Sequence, residues 1–257
     1  MNYPQIKPTL NLDFSNTKTL DPRINFRRGT PGAYYDGKTY AKAEENLISY
    51  SEDFSNAYWG KVEASVTENA ETAPDGNITA DKIIASTNSS DFHTVRLFNN
   101  RPNLIAGKTY TFSCFLKKGG YDFAGLQIYE HDGSSVSDFH FDLNNGVHLK
   151  TSHALYSATS GLSVNTVDIL SVGNDWHRCV VTVTPDLTGE YQFRIFIRND
   201  SVDPIATFAG DGASGIYVWG AQLEQRDSVT AYTPTNGNPI KKIPTTTNVR
   251  LSRSTTI

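Results

Sequence analysis

A chain of 257 residues with 11% aromatic and 19% charged residues can bury a sizeable core, and it is too aromatic and too sparsely charged for a disordered protein. Its formal charge of −4 is uneven: residues 1–45 carry a balance of +2 and residues 234–257 a balance of +4, which leaves −10 on the stretch between them. An acidic body lacks the concentrated basic face that phosphate backbones require, which excludes nucleic acid as its partner, and no apolar run reaches membrane-spanning length.

Taken in chain order, residues 1–45 read as an arm. Leu12, Phe14, Ile24 and Phe26 stand isolated among polar residues, with turns at Thr30-Pro31-Gly32 and Asp36-Gly37. Such a segment has no core of its own and must lie on something else, so Phe14, Arg23, Phe26, Arg27 and Arg28 are its candidate docking residues. The start, Met-Asn-Tyr-Pro-Gln-Ile-Lys, has no apolar leader, which predicts folding in a cytoplasm.

Residues 46–233 show strict alternation again and again, the pattern of strands with one buried face. Tyr110, Phe112, Cys114 and Leu116 oppose Thr109, Thr111 and Ser113; Phe139, Phe141 and Leu143 oppose Asp138, His140 and Asp142; Tyr191, Phe193, Ile195 and Ile197 oppose Gln192, Arg194 and Arg198. Similar runs occupy 92–98, 123–130, 178–184 and 215–224, the last placing Trp219 in phase with Tyr217, Ala221 and Leu223. Turn signals at Gly119-Gly120, Asp132-Gly133, Asn144-Asn145-Gly146, Thr188-Gly189 and Asp211-Gly212 punctuate them, and Asn145-Gly146 predicts a hairpin. No amphipathic helix exceeds two turns. Many short strands without helical spacers predict an all-β antiparallel sandwich. Residues 234–257 read as a basic extended tail, with Lys241, Lys242 and Arg250 as docking candidates.

The sequence carries no catalytic constellation. It has no His-Glu-x-x-His, no Gly-x-Ser-x-Gly and no phosphate loop, and Ser160 sits in an ordinary turn sequence. His140 and His148 flank the Asn144–Gly146 turn and could face each other across a hairpin. The carboxylates Asp138 and Asp142, or Glu130 and Asp132, supply only the chance pairs expected in an acidic chain. Cys114 and Cys179 are expected as buried free thiols. No cofactor is expected, beyond a structural calcium near Asp211 and Glu224.

Binding is the stronger reading. Sugars are held by aromatic faces against the apolar side of the ring and by directional hydrogen bonds from Arg, Asn, Gln and Asp. The polar phases of three runs supply such groups: His93 and Arg96; Gln127 and Tyr129; Gln192, Arg194 and Arg198, followed by Asn199. If these strands share a sheet, their outward faces make a shallow cleft. Trp59, Trp176 and Trp219 are read as packing residues instead.

Six phrases in order carry a resemblance. They are Asn46-Leu-Ile-Ser-Tyr-Ser-Glu-Asp-Phe-Ser-Asn-Ala-Tyr-Trp59; Pro74-Asp-Gly76 with Thr79-Ala-Asp-Lys82; Gly107-Lys-Thr-Tyr-Thr-Phe-Ser113; Leu116-Lys-Lys-Gly-Gly120; Asp175-Trp-His-Arg-Cys-Val-Val-Thr182; and Gly215-Ile-Tyr-Val-Trp-Gly-Ala-Gln-Leu-Glu224. Together they resemble the jelly-roll modules of bacteriophage tail and fibre proteins, and the run from Leu12 to Asp36 resembles a leader near the start of phage tail proteins. The resemblance implies a virion structural protein with a carbohydrate-binding-module-like (concanavalin A-like) jelly roll, not an enzyme. Its partners would be other virion proteins, copies of itself (a trimer above all) and host surface polysaccharide. The alternatives are a head-fibre decoration or adaptor protein without glycan binding, and a glycan depolymerase.

Overall fold

The computed structural model describes residues 45–130, 135–155, 162–199 and 207–241. Of the expectations above, Phe14, Arg23, Phe26, Arg27, Arg28, Lys242, Arg250, Ser160 and the Asp132-Gly133 turn lie outside the described residues. Lys241 is exposed at their end.

Among the described residues there is no helix, and the strands are β1 (Gly60–Val62), β2 (Ala64–Thr72), β3 (Ile78–Ala85), β4 (Thr94–Arg96), β5 (Asn103–Leu104), β6 (Tyr110–Gly119) and β7 (Phe123–Glu130). They continue as β8 (Ser135–Asp142), β9 (Val147–Leu155), β10 (Leu162–Gly173), β11 (Trp176–Pro185), β12 (Gly189–Arg198) and β13 (Gly215–Glu224). One sheet has the order β1-β4-β12-β7-β8-β9 with β5 pairing to β12, and the other has the order β10-β11-β6-β13-β3-β2. All of these strand pairings are antiparallel. The chain crosses between the sheets after β1, β3, β5, β6, β9, β11 and β12, so the strands weave a jelly-roll sandwich.

Alternation explains the interior. Phe112, Cys114 and Leu116 of β6, Cys179, Val181 and Val183 of β11, and Phe193, Ile195 and Ile197 of β12 join Leu126, Ile128, Phe139 and Phe141 in one core. Phe112 and Phe193 meet across the layers at 4.9 Å between ring centroids. Cys114 and Cys179 are register partners and free, and burial pushes both thiols far above their ordinary range. The hairpin at 143–146 forms as its sequence predicts: the Asp142 carboxylate accepts the Asn144 and Asn145 amides at 2.9 Å, and Gly146 takes φ +65°.

The alternation of β13 is not continuous. A bulge between Trp219 and Gln222, turning at Gly220 with φ +63°, shifts the phase by one residue. Ala221 and Leu223 therefore point into the core while Trp219 joins a second cluster with Phe115, Trp176, Ala73 and Ala80, on which Tyr217 and Tyr232 pack. Trp219 is buried, but with Tyr217 it lies on the other face from Ala221 and Leu223. The glycine makes the difference, because only a left-handed residue lets the strand absorb the extra position.

That second cluster needs a cover, and the segment after β13 supplies it. Tyr232 stacks on Trp219 at 4.5 Å and donates its hydroxyl to Glu52 at 3.0 Å; Arg178 donates to Thr230 O at 2.6 Å. Thr235 then donates its hydroxyl to Ile48 O at 2.6 Å and its amide to Ser51 Oγ at 2.8 Å, and Ile240 bridges to Asn46. The compact unit accordingly runs Glu45–Ile240, so residues 234–240, read from sequence as tail, belong to the sandwich. Their Pro, Thr and Asn residues pair through hydroxyls and main chain and so show no apolar phase.

Asn46 joins the first and last of the six phrases. Its side-chain NH₂ donates to Ala221 O at 3.0 Å and Thr233 O at 2.9 Å, while its Oδ1 accepts from Ile48 N at 3.1 Å and Leu223 N at 3.2 Å. Every hydrogen-bonding position of the amide is thus engaged, at a fully buried site.

Candidate functional site: the outer face of the larger sheet

In the larger sheet the odd-numbered residues of β12 face the core, so the even-numbered ones face outward. Register then builds a ladder. One row runs Gly60, Arg96, Arg194, Gln127, Asp138, Ser152, and the row beside it contains Gln192, Tyr129 and Val136. On the other side lie Phe196, Gly125 and His140, then Arg198, Phe123 and Asp142. The expectation that Arg96, Gln127, Tyr129, Gln192, Arg194 and Arg198 share one sheet face therefore holds in the structure.

The face is not uniformly open. Gln127, Gln192, Asp138, His140 and Arg198 are buried, whereas Arg96, Tyr129 and Arg194 are half-buried and Phe98 is exposed. Arg198 donates to Asp138 at 2.8 Å and lies over the Phe196 ring at 4.3 Å. Gly125 leaves room for it: a Cβ there would come within 3.1 Å of Arg198 Nε. Gln127 donates to the other Asp138 oxygen at 2.8 Å. Burial raises the Asp138 carboxyl, and Arg198 and Gln127 pull it back. Asp138, considered above as half of a hydrolytic pair, is thus tied into an ion pair. Asp138→Ala is expected to lower stability by about 3–5 kcal/mol, because it strands a buried guanidinium, while Asp138→Leu combined with Arg198→Met recovers most of the loss. Urea denaturation of the three proteins checks this; a single variant as stable as the parent would refute it.

The half-buried end is aromatic and cationic. Arg194 stacks over Tyr129 at 4.7 Å and donates through Nε to Gln192 Oε1. Burial first, and then the charge of Arg96, pull the Arg194 guanidinium down to about 10. Arg96 and Arg101 lie over the Phe98 ring at 4.6 and 5.1 Å. Burial also lowers Arg96, against the opposing pull of Asp91. Among the described residues, Arg96 Nε, Gln127 Oε1 and Gln192 Nε2 are buried and have no hydrogen-bond partner.

Several expected site residues fall elsewhere. His93 is buried with its two ring nitrogens against Glu63 O and Phe208 O, so it fastens two loops and is not a surface ligand. Arg198, Gln127 and Gln192 are buried and form the floor of the ladder. Asn199 is exposed just past β12. His140 and His148 do not face each other: a register shift places His148 opposite Phe141, against whose ring it packs at 5.6 Å, while His140 sits in the outer phase. Asp211 and Glu224 cannot share a calcium, since they flank opposite ends of β13, roughly 30 Å apart by strand geometry. Asp211 instead caps the 211–214 turn, where Ser214 hydrogen bonds hold its carboxyl down to about 2, and buried Glu224 accepts from Thr230 N at 3.1 Å.

Sequence reasoning missed Phe98, the last residue of the 92–98 run, and Arg101, which follows in an irregular stretch where no alternation marks it. It also missed a second concavity of about 310 Å³ on the other side of the unit, lined by Glu52, Asp53, Glu68 and Asp81 among others. There Asp81 is buried and accepts the amides of Phe54 at 2.9 Å and Asn69 at 3.0 Å, and burial raises its carboxyl to about 6. Among the described residues, no group of His, Cys, Asp and Glu is arranged to hold a metal ion.

No family model matches the sequence, and no curated protein matches it. Solved structures give distant likenesses. The CBM22-1–GH10 modules of an endo-1,4-β-D-xylanase of Clostridium thermocellum, complexed with xylohexaose, align at 12% identity and TM-score 0.39 over 74% of this chain and 30% of that one. An exo-β-agarase aligns at 11% identity and TM-score 0.41 over 73% of this chain and 25% of that one. The CBM22-2 xylan-binding domain of a Paenibacillus barcinonensis xylanase aligns at 8% identity and TM-score 0.39 over 71% of this chain and 98% of that one. The chain thus spans less than a third of the length of the two enzymes, and likenesses this remote carry no conclusion about what it binds.

Proposed function

We propose that this protein is a non-catalytic, glycan-binding jelly roll of a bacteriophage virion, in the tail or its fibres, where it contacts host surface polysaccharide. The observation that carries the binding role is the group formed by half-buried Arg96, Tyr129 and Arg194 with exposed Phe98, on adjoining strands and loops of one sheet face. Aromatic rings beside planar guanidinium donors match the two faces of a pyranose ring, one apolar and one hydroxylated. The six ordered phrases support the virion role, and in that setting the protein would act as a symmetric homo-oligomer, a trimer first of all. One observation favours a second reading, a head-fibre decoration or adaptor protein without glycan binding: most of the same face (Gln127, Gln192, Asp138, Arg198) is already buried within the chain.

The test is the full chain against immobilised bacterial surface polysaccharides, beside Arg194→Ala. Binding by the parent and at least tenfold weaker binding by the variant, at unchanged melting temperature, is the expected result. If no polysaccharide binds while the chain is found in purified particles, the decoration reading replaces it.

A further inference from the structure

The charges on the open end of the ladder indicate the kind of saccharide it takes. Arg96 and Arg194 are direct register partners on β4 and β12, so two guanidinium groups stand side by side. Like charges placed opposite each other on a sheet are destabilising, and a fold keeps such a pair only where something offsets it. Among the described residues the protein offers only a partial offset, through the rings of Phe98 and Tyr129 and the unpaired approach of Asp91 and Asp138. Asp138 is engaged by Arg198 and Gln127, exposed Asp91 acts on Arg96 only through space, and Glu190 lies further along β12 opposite Asn103 of β5. No described carboxylate comes within 4.0 Å of either guanidinium. This concentration of positive charge sits in a body whose net charge between residues 46 and 233 is −10.

A second, independent observation lies beneath it. Gln192 is fully buried; its Oε1 is taken by Arg194, while its Nε2 donor has no partner among the described residues, nor does the buried Nε of Arg96. Donors left over beside paired cations call for an acceptor rich in lone pairs. The neighbouring rings of Phe98 and Tyr129 require that this acceptor be carried on something with an apolar face.

We infer that the Arg96–Arg194 pair, flanked by Phe98 and Tyr129, is a subsite for an anionic saccharide, a pyranose bearing a carboxylate or an ester sulfate. The inference rests on the glycan-binding reading and narrows it. The guanidinium groups would take the anionic oxygens, whose planar geometry they match in the case of a carboxylate. The rings would pack on the sugar's C–H face.

The experiment is calorimetric titration of the full chain with an oligogalacturonate, its carboxyl-reduced neutral counterpart, dextran sulfate and plain dextran, at low and high salt. The expected result is that one or both anionic ligands bind at least tenfold more tightly than the neutral partner, since hydrogen bonds to a charged group are stronger than those between neutral groups. Affinity should fall as salt rises. Preference for oligogalacturonate identifies the carboxylate, and preference for dextran sulfate the sulfate ester. Arg96→Gln and Arg194→Gln should each remove the preference without lowering the melting temperature, because each relieves like-charge repulsion. Arg96→Lys should restore it in part, and Lys82→Gln on the other sheet should leave it unchanged. Equal binding of charged and neutral ligands would overturn the anionic assignment and leave glycan binding standing. Binding of none of the four, with other neutral polysaccharides still retained, would also overturn it. An anionic preference undiminished in the Arg variants would refute this location.

Discussion

Replacing Asn46 with alanine is expected to destabilise the protein by about 4 kcal/mol or more, a loss on the scale of a large core deletion. The substitution removes four hydrogen bonds at a site with no access to water, and it leaves Ile48 N, Leu223 N, Ala221 O and Thr233 O to find other partners. Each buried polar group left unsatisfied costs about 1–3 kcal/mol, and relaxation can rescue only some of them. Asn46→Asp separates geometry from chemistry. It keeps the two acceptances but turns carboxylate oxygen toward two carbonyls, so it should be no milder than alanine. Urea denaturation gives the stability, and hydrogen exchange at the Ile48 and Leu223 amides reports the site itself. A change below about 1 kcal/mol, with both amides still protected, would show that Asn46 is not a fastening point.

Gly215→Ala is expected to abolish cooperative folding. Three chain segments meet there: Gly215 pairs with Ile84 of β3, bridges to Gly120, and accepts the Tyr121 amide at 3.1 Å. A Cβ would lie 1.8 Å from Ile83 O and 2.8 Å from the Ile83 carbonyl carbon, both main-chain atoms inside a sheet. Neither can move without parting β13 from β3, the joint on which the inner strands of the smaller sheet depend. Gly189→Ala is the control, since a Cβ there meets nothing within 4 Å and the backbone is not left-handed. It should change stability by no more than about 0.5 kcal/mol, in either direction. Circular dichroism and thermal melts of the two variants check the contrast, and a soluble, cooperatively melting Gly215→Ala protein would overturn it.

How much of this was legible in the sequence depends on where a residue's partners lie. Inner strands such as β6, β11 and β12 announce themselves, because one phase is apolar almost throughout and the other is mostly polar. The edge strands do not. β2 and β10 bury no residue fully, and their inner phases (Ala64 and Val66; Leu162, Val164, Val167 and Ile169) are broken by register shifts, so Ala64–Thr72 and Leu162–Gly173 keep no continuous alternation. Local pattern also cannot reveal a bulge, which is why Trp219 was assigned to the wrong face although correctly read as packing. The candidate site was half legible. Alternation places Arg96, Gln127, Tyr129, Gln192, Arg194 and Arg198 outward, and register brings them together. Whether an outward residue is open depends on what its neighbours do with their own length, and Arg198 lies down on Phe196 and pairs with Asp138 where the sequence suggests a free cation. His93 was misread for the related reason that its partners, Glu63 O and Phe208 O, are main-chain atoms remote in sequence.

The reciprocal pairing of Asn46 and Ile240, with each amide donating to the other's carbonyl at 2.8 Å, has an architectural consequence. The chain enters and leaves the sandwich at one spot, as two adjacent antiparallel segments joined by a bridge. A unit of that kind behaves as a cassette: it can be spliced into a surface loop of another protein while perturbing the host by little more than the width of a strand pair, and its own ends can be joined and reopened elsewhere. Whatever the segments on either side are attached to, they leave from the same point on the surface of the unit, so the ladder of arginines can be carried on many different supports without being rebuilt.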